Sequence, residues 1–235
     1  MGGQKNSRSG FTRTEVLVVL GCVCFLGMVW LRPSLAGSAA RNDEAVCANN
    51  LRNIGRGFQE WWQEHEERIA WYIPPPSPAG TKSYVWHQNL WFQFFWVSNE
   101  LRSPRYLADP ADDWPNLRVA TSWGTAPGGL LNSSHKNNAI SYFLGLHATP
   151  LQPDSILAGD GNIQGSGLAG CSSGIQATDV RPQYAVWPES GHGSRGNLLF
   201  SDGRVEMTDT ARLKIATSWR NDDASSVHVL KPRIP

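Results

Sequence analysis

Between Val16 and Leu31 the chain runs for sixteen residues without a charged side chain, and Phe11 to Glu15 bring the stretch to 21 positions. A helix that crosses a bilayer needs about 20, and no other segment is both as long and as apolar. Lys5, Arg8 and Arg13 all precede the run, and positive charge gathers on the cytoplasmic side of a membrane. The pattern predicts a single-pass protein with its N-terminus in the cytoplasm and everything after Leu31 outside. Glu15 sits badly in this picture, because a carboxylate in lipid costs a few kcal/mol and is usually kept only with a partner.

Composition narrows the remainder. With 235 residues, 40% hydrophobic, 17% charged and a net charge of +1, the chain is neither disordered by composition nor a polybasic binder of nucleic acid. About 200 residues after the run suffice for one well-buried domain. Cys22 and Cys24 lie within the run, which leaves Cys47 and Cys171 as the candidate pair for a disulfide in an oxidising compartment.

Three readings compete for the N-terminus. One is a secretory signal cut near Ser34-Leu35-Ala36 or Gly37-Ser38-Ala39. Another is an uncleaved anchor. Neither accounts for Glu15. The third rests on the string Gly10-Phe11-Thr12-Arg13-Thr14-Glu15 followed by Val16-Leu17-Val18-Val19-Leu20, which resembles the type IV prepilin and type II secretion pseudopilin signal. The resemblance implies cleavage between Gly10 and Phe11 by a prepilin peptidase, N-methylation of Phe11, and a Glu15 that pairs with the Phe11 amine of a neighbouring subunit during assembly. Two groups costly alone would then neutralise each other. Arg13 departs from the pattern, which usually has an apolar or small residue there.

Beyond Pro33, Cys47, Leu51, Ile54, Phe58, Trp61, His65 and Ile69 recur at intervals of three and four, the period of a helix with one apolar face. Asn42 or Asp43 could cap this spine, and Pro74-Pro75-Pro76 ends it. His65 falls on the stripe and is expected to pack in the core. Trp86, Trp91, Phe92, Phe94, Phe95 and Trp96 form a dense aromatic cluster, expected as a second helix docked on the first. From Pro104 onward glycines, prolines and short apolar runs predict short strands, among them an Asp202-Gly203 hairpin in which both central residues tolerate positive φ. The expected fold is α+β and pilin-like: a leader over 1–10, a transmembrane helix over 11–31, an amphipathic spine over 32–73, and over 74–235 an extracytoplasmic head with an antiparallel sheet.

His192 is followed by nine residues and then Asp202-Gly203. Together with the N-terminal signal, this resembles the bacterial pseudopilin-like family with a prepilin motif at one end and a His-nine-residue-Asp-Gly element near the other. "CANNLRNIGRGFQEW", "SNELRSPRYLADPADD" and "ISYFLGLHATPLQPDSILAGDGNI" look like that family too. Asp109 departs from it, since relatives often carry cysteine before the proline. The resemblance implies a structural subunit of a secretion or pilus-related assembly, held by a single pass in the bacterial inner membrane with its C-terminal domain in the periplasm. Its implied partners are the prepilin peptidase, other pseudopilin subunits and the secretion machinery. Read from the residues, Asp202-Gly203 makes the hairpin turn and His192 hydrogen-bonds the adjacent strand or Asp202; the rival reading is a cation site of Asp160, Asp202 and His192, for which the resemblance suggests calcium although no EF-hand-like spacing is present.

Enzyme signals are weak. Gly170-Cys171-Ser172-Ser173-Gly174 fits G-x-S-x-G without the strand and helix that a nucleophile elbow needs. Gly165 to Gly170 fits G-x-G-x-x-G without a βαβ unit. The expectation is a non-enzyme, and the rival from another class is an extracytoplasmic module that binds sugar or protein on tryptophan faces, with Trp114, Trp123, Trp187 and Trp219 as the candidates.

Overall fold

A computed structural model of the chain describes residues 12–66, 90–165, 167–169, 177–218 and 227–233, with the side chains of 28–40, 168 and 169 outside that description. The chain divides into two compact units, Met1–Asn42 and Asp43–Pro235.

In the first unit helix α1, Arg13–Glu64, begins. Its start is a capping box: the Thr12 N–H donates to the Glu15 carboxylate at 2.7 Å, and the Glu15 N–H donates to Thr12 Oγ1 at 3.3 Å. Glu15 therefore has a local partner, one that Thr-x-x-Glu already spells in the sequence. Its carboxyl is held below the usual carboxylate range by the bond from the Thr12 backbone and, after that, by the Thr12 hydroxyl. Beyond it Val16, Leu17, Val18, Val19, Leu20, Val23, Phe25 and Leu26 are all exposed, by 47% to 68%.

The pilin-like expectation of a membrane-crossing helix is corrected here. Among the described residues no helix is long and apolar enough to cross a membrane. The fold class with a transmembrane part over 11–31 and the single-pass inner-membrane localisation are therefore not supported.

The second unit is built on a seven-stranded sheet in the order β3-β4-β7-β1-β2-β5-β6. The strands are β1 Tyr142–Gly145, β2 Ile156–Asp160, β3 Gly167–Ala169, β4 Ala177–Val180, β5 Arg195–Phe200, β6 Val205–Asp209 and β7 Val227–Leu230. Every pairing is antiparallel. Its central strands are buried along their length rather than on alternate residues, because both faces are covered. On one face Tyr142, Leu144 and Leu199 pack with the α1 stripe Cys47, Leu51, Ile54, Phe58 and Trp61. On the other, Phe143, Leu198 and Phe200 pack with Trp187 and with Leu213 and Ala216 of helix α4, Thr210–Ser218.

Of the aromatic cluster, Trp91, Phe92, Phe94, Phe95 and Trp96 lie on a short helix, α2 Leu90–Trp96, which α3 Ser98–Leu101 follows; Trp86 lies outside the described residues. Phe94 of α2 meets Phe58 of α1 edge to face at 6.2 Å. The helices sit close: a Cβ on Gly57 would lie 2.6 Å from Leu101 Cδ2. The proline run 74–76 and Ile69 lie outside the described residues. His65 is half-buried just past the end of α1, its ring stacked on Trp61 at 3.5 Å.

The β5–β6 hairpin differs from the two-residue turn expected. Leu199 pairs with Val205, the Gly203 N–H donates to the Phe200 carbonyl, and of the two residues only Gly203 has positive φ, at 88°. This is a longer loop with a left-handed glycine near its end, and Asp202 serves it by accepting the Arg204 N–H at 2.9 Å.

Candidate metal centre

Four side chains from distant parts of the chain converge where α1 crosses the sheet. Cys47 comes from α1, Asp109 from the segment after a 3-10 turn over Pro104–Leu107, Asp160 from the last position of β2, and His192 from the loop before β5. One ligand-type atom from each lies within 4.8 Å of all the others. All four are nearly or fully buried, from 0% to 9% exposed.

The backbone places them. Tyr142 opposite Asp160 fixes the β1–β2 register, and Asp109 is held by its own N–H donating to Ser141 Oγ at 3.0 Å while its Oδ1 accepts the Ala111 N–H at 2.9 Å. Asn197 of β5 holds the opposite side. Its N–H donates to Asp160 Oδ2 at 2.7 Å and its side-chain amide to Cys47 Sγ at 3.0 Å. Within the cluster the Cys47 thiol donates to Asp160 Oδ1 at 3.1 Å, His192 Nε2 lies 3.0 Å from Asp109 Oδ2 and 3.6 Å from Asp160 Oδ2.

Two carboxylates face one imidazole, so negative charge is in excess in a dry place. Burial, and next the charge of Asp109, push the Asp160 carboxyl up to about 6 against the pull of the Asn197 N–H. The hydrogen bond to Asp109 raises His192, opposed by its burial and aided by both carboxylate charges. Burial and the same carboxylates push the Cys47 thiol far up. A protonated, inaccessible thiol that donates to a carboxylate is not an activated nucleophile. The donors present, one sulfur, one imidazole nitrogen and two carboxylate oxygens, are instead those of a transition-metal site.

A cavity of about 400 Å³ reaches the cluster, with Asp109, Asp160 and His192 in its wall beside Asp113, Asn162 and Arg233. Arg233 pairs with Asp112 at 2.9 Å and lies over the Trp114 ring at 4.9 Å. Asn162 Oδ1 is buried there with no hydrogen-bond partner.

Of the residues expected from sequence, Asp160 and His192 meet, whereas Asp202 is exposed in the hairpin turn, bound to Arg204. Cys47 is a free thiol; Cys171 lies outside the described residues, as do Gly10, Phe11 and Trp219. Trp187 is a core residue, 1% exposed, with Nε1 donating to Thr208 Oγ1 at 3.0 Å. Trp123 donates to the Arg102 carbonyl and packs on the core, and Trp114 keeps 39% exposure at the cavity. Sequence reasoning missed Cys47 and Asp109 as members of the site.

No family model, no curated protein and no solved structure matches the chain.

Proposed function

We propose that the protein is a structural subunit of a pseudopilin-like assembly, of the type II secretion or type IV pilus-related kind, matured by cleavage after Gly10 and methylation of Phe11. The observation that carries the reading is the start of α1, where eight large apolar side chains stand exposed next to an exposed carboxylate. Val16 to Leu20 are exposed at five consecutive positions, so the apolar surface runs around the helix rather than along one stripe. Such a helix needs cover on several sides, which neighbouring copies of the same helix supply. Glu15 is the polar group that sets their register, by accepting a neighbour's Phe11 amine.

The test separates assembly from capping. Glutamine serves a capping box as well as glutamate, so Glu15→Gln preserves the helix start and removes only the charge. Cys22 and Cys24 are exposed free thiols on this helix, and oxidation of the native assembly should link them into multimers. The expected result is a ladder in the wild type that Glu15→Gln abolishes. An undiminished ladder in Glu15→Gln would leave Glu15 as a cap alone.

A further inference from the structure

We propose that Cys47, Asp109, Asp160 and His192 form a zinc site, entered through the adjoining cavity. Three features of the geometry carry it. The first is the donor set. Calcium takes oxygen ligands, so the thiol and the imidazole turn this site away from calcium and towards zinc, which accepts sulfur, nitrogen and carboxylate oxygen in one tetrahedron.

The second is spacing. Metal–ligand bonds of about 2.0–2.3 Å in a tetrahedron place the ligand atoms roughly 3.3–3.8 Å apart. Here Cys47 Sγ lies 3.1 Å from Asp160 Oδ1, and His192 Nε2 lies 3.0 Å from Asp109 Oδ2 and 3.6 Å from Asp160 Oδ2, and with one ligand atom taken from each residue no pair exceeds 4.8 Å. Side-chain shifts of about an ångström close the site around an ion. The third is support. Asn197 already holds both Asp160 and Cys47, and the Ala111 N–H holds Asp109, the outer hydrogen bonds that orient metal ligands.

A dication also answers the charge problem. Two buried carboxylates against one imidazole are unbalanced, and buried charge persists when paired or bound to metal. On binding, the S–H bond of Cys47 breaks, its electron pair goes to zinc and the proton leaves to solvent. His192, as the imidazolium, releases its Nε2 proton to solvent, keeps the Nδ1 proton as a neutral imidazole and turns the freed Nε2 lone pair to the metal. No electron changes hands, and proton release accompanies binding.

The experiment uses the full chain, stripped with chelator, then titrated with zinc by calorimetry and with cobalt(II) by absorption. The expected outcome is one ion per chain and, with cobalt, a thiolate-to-metal charge-transfer band together with the strong visible bands of four-coordinate cobalt. Because four cysteines are present, the deciding protein is the triple variant Cys22→Ser/Cys24→Ser/Cys171→Ser, which keeps Cys47 as its only thiol. The band should survive there and vanish in Cys47→Ser, while Asn197→Ala should weaken zinc about 10–100-fold. Absence of the band from the wild type, or from the triple variant, overturns the proposal.

Discussion

His192 and Asp109 are 83 residues apart and meet at 3.0 Å with both side chains almost fully buried. The pair bridges the loop before β5 to the segment that follows α3, and Asp160 from the sheet lies 3.6 Å from the same nitrogen. Removing the imidazole leaves two carboxylates facing each other without a cation. His192→Ala in the metal-free protein should therefore lose about 3 kcal/mol at pH 7.5, and less at pH 5, where Asp160 takes a proton. Urea unfolding at the two values checks both the size and the direction.

Asp160 sets a pH dependence of its own. It faces Asp109, His192 and Cys47 and accepts from Asn197. Its carboxyl rises from 3.8 to about 6 on folding, so the folded state holds a proton that the unfolded chain has released. Stability from this group is complete below pH 3.8 and is lost as pH rises through about 6, a total on the order of 3 kcal/mol. His192, also raised on folding, acts in the same sense at higher pH, its contribution falling away above its folded value. The urea midpoint of chelator-treated protein should be higher at pH 5 than at pH 7.5, and Asp160→Asn should flatten the difference.

Close packing of α1 gives a test away from the site. A methyl on Gly57 would sit 2.6 Å from Leu101 Cδ2 and 3.2 Å from its Cα, and Leu101 is 2% exposed with nowhere to go. Overpacking of this kind costs roughly 1–3 kcal/mol, partly offset by the better helix propensity of alanine. Gly57→Ala should lower the melting temperature of the folded unit. Gly21 in the same helix has nothing within 4 Å, and Gly21→Ala should leave that melting temperature unchanged.

Trp187 decides between core and platform. Its ring lies where a Cβ on Gly196 would approach it to 2.7 Å, and it joins Phe143 and Phe200 in the second core cluster. Trp187→Ala should cost about 3–5 kcal/mol, measured by denaturant unfolding. Trp187→Phe, which keeps an aromatic ring but loses part of the indole's buried volume as well as the bond to Thr208, should cost less than Trp187→Ala but more than the roughly 1 kcal/mol of the hydrogen bond alone.

These residues also show what the sequence disclosed. The stripe from Cys47 to Trp61 was legible because helical periodicity survives in the order of residues, and its five members are the ones that pack on the sheet. The two-sided burial of the sheet was not, because four-residue strands such as β1, buried throughout, carry no alternation to read. The apolar run suggested a span of 21 positions, but among the described residues no helix is long and apolar enough to cross a membrane, and the helix start is a capping box that stood in the sequence as Thr12-x-x-Glu15. At the site, Asp160 and His192 stood out as unusual residue types in turn-rich surroundings. Their partners could not, since Cys47 meets Asp160 across 113 residues, and nothing local in the sequence encodes that pairing.

The His-nine-residue-Asp-Gly element divides into two separate jobs, and this can be tested residue by residue. His192 enters the buried cluster, whereas Asp202 and Gly203 build the β5–β6 turn that packs against Gln59 of α1, whose Nε2 would lie 2.7 Å from a Cβ on Gly203. Gly203 also sits at φ 88°, which costs an L-residue about 1–2 kcal/mol. Gly203→Ala should therefore destabilise the fold by about that amount or somewhat more, while Asp202→Ala, exposed and losing one bond to the Arg204 N–H, should cost only about 0.5–1 kcal/mol. Neither substitution touches Cys47, Asp109, Asp160 or His192, so the cobalt spectrum of both variants should match the wild type at a temperature where they remain folded. A changed spectrum in Asp202→Ala would mean that the turn and the buried cluster act as one unit.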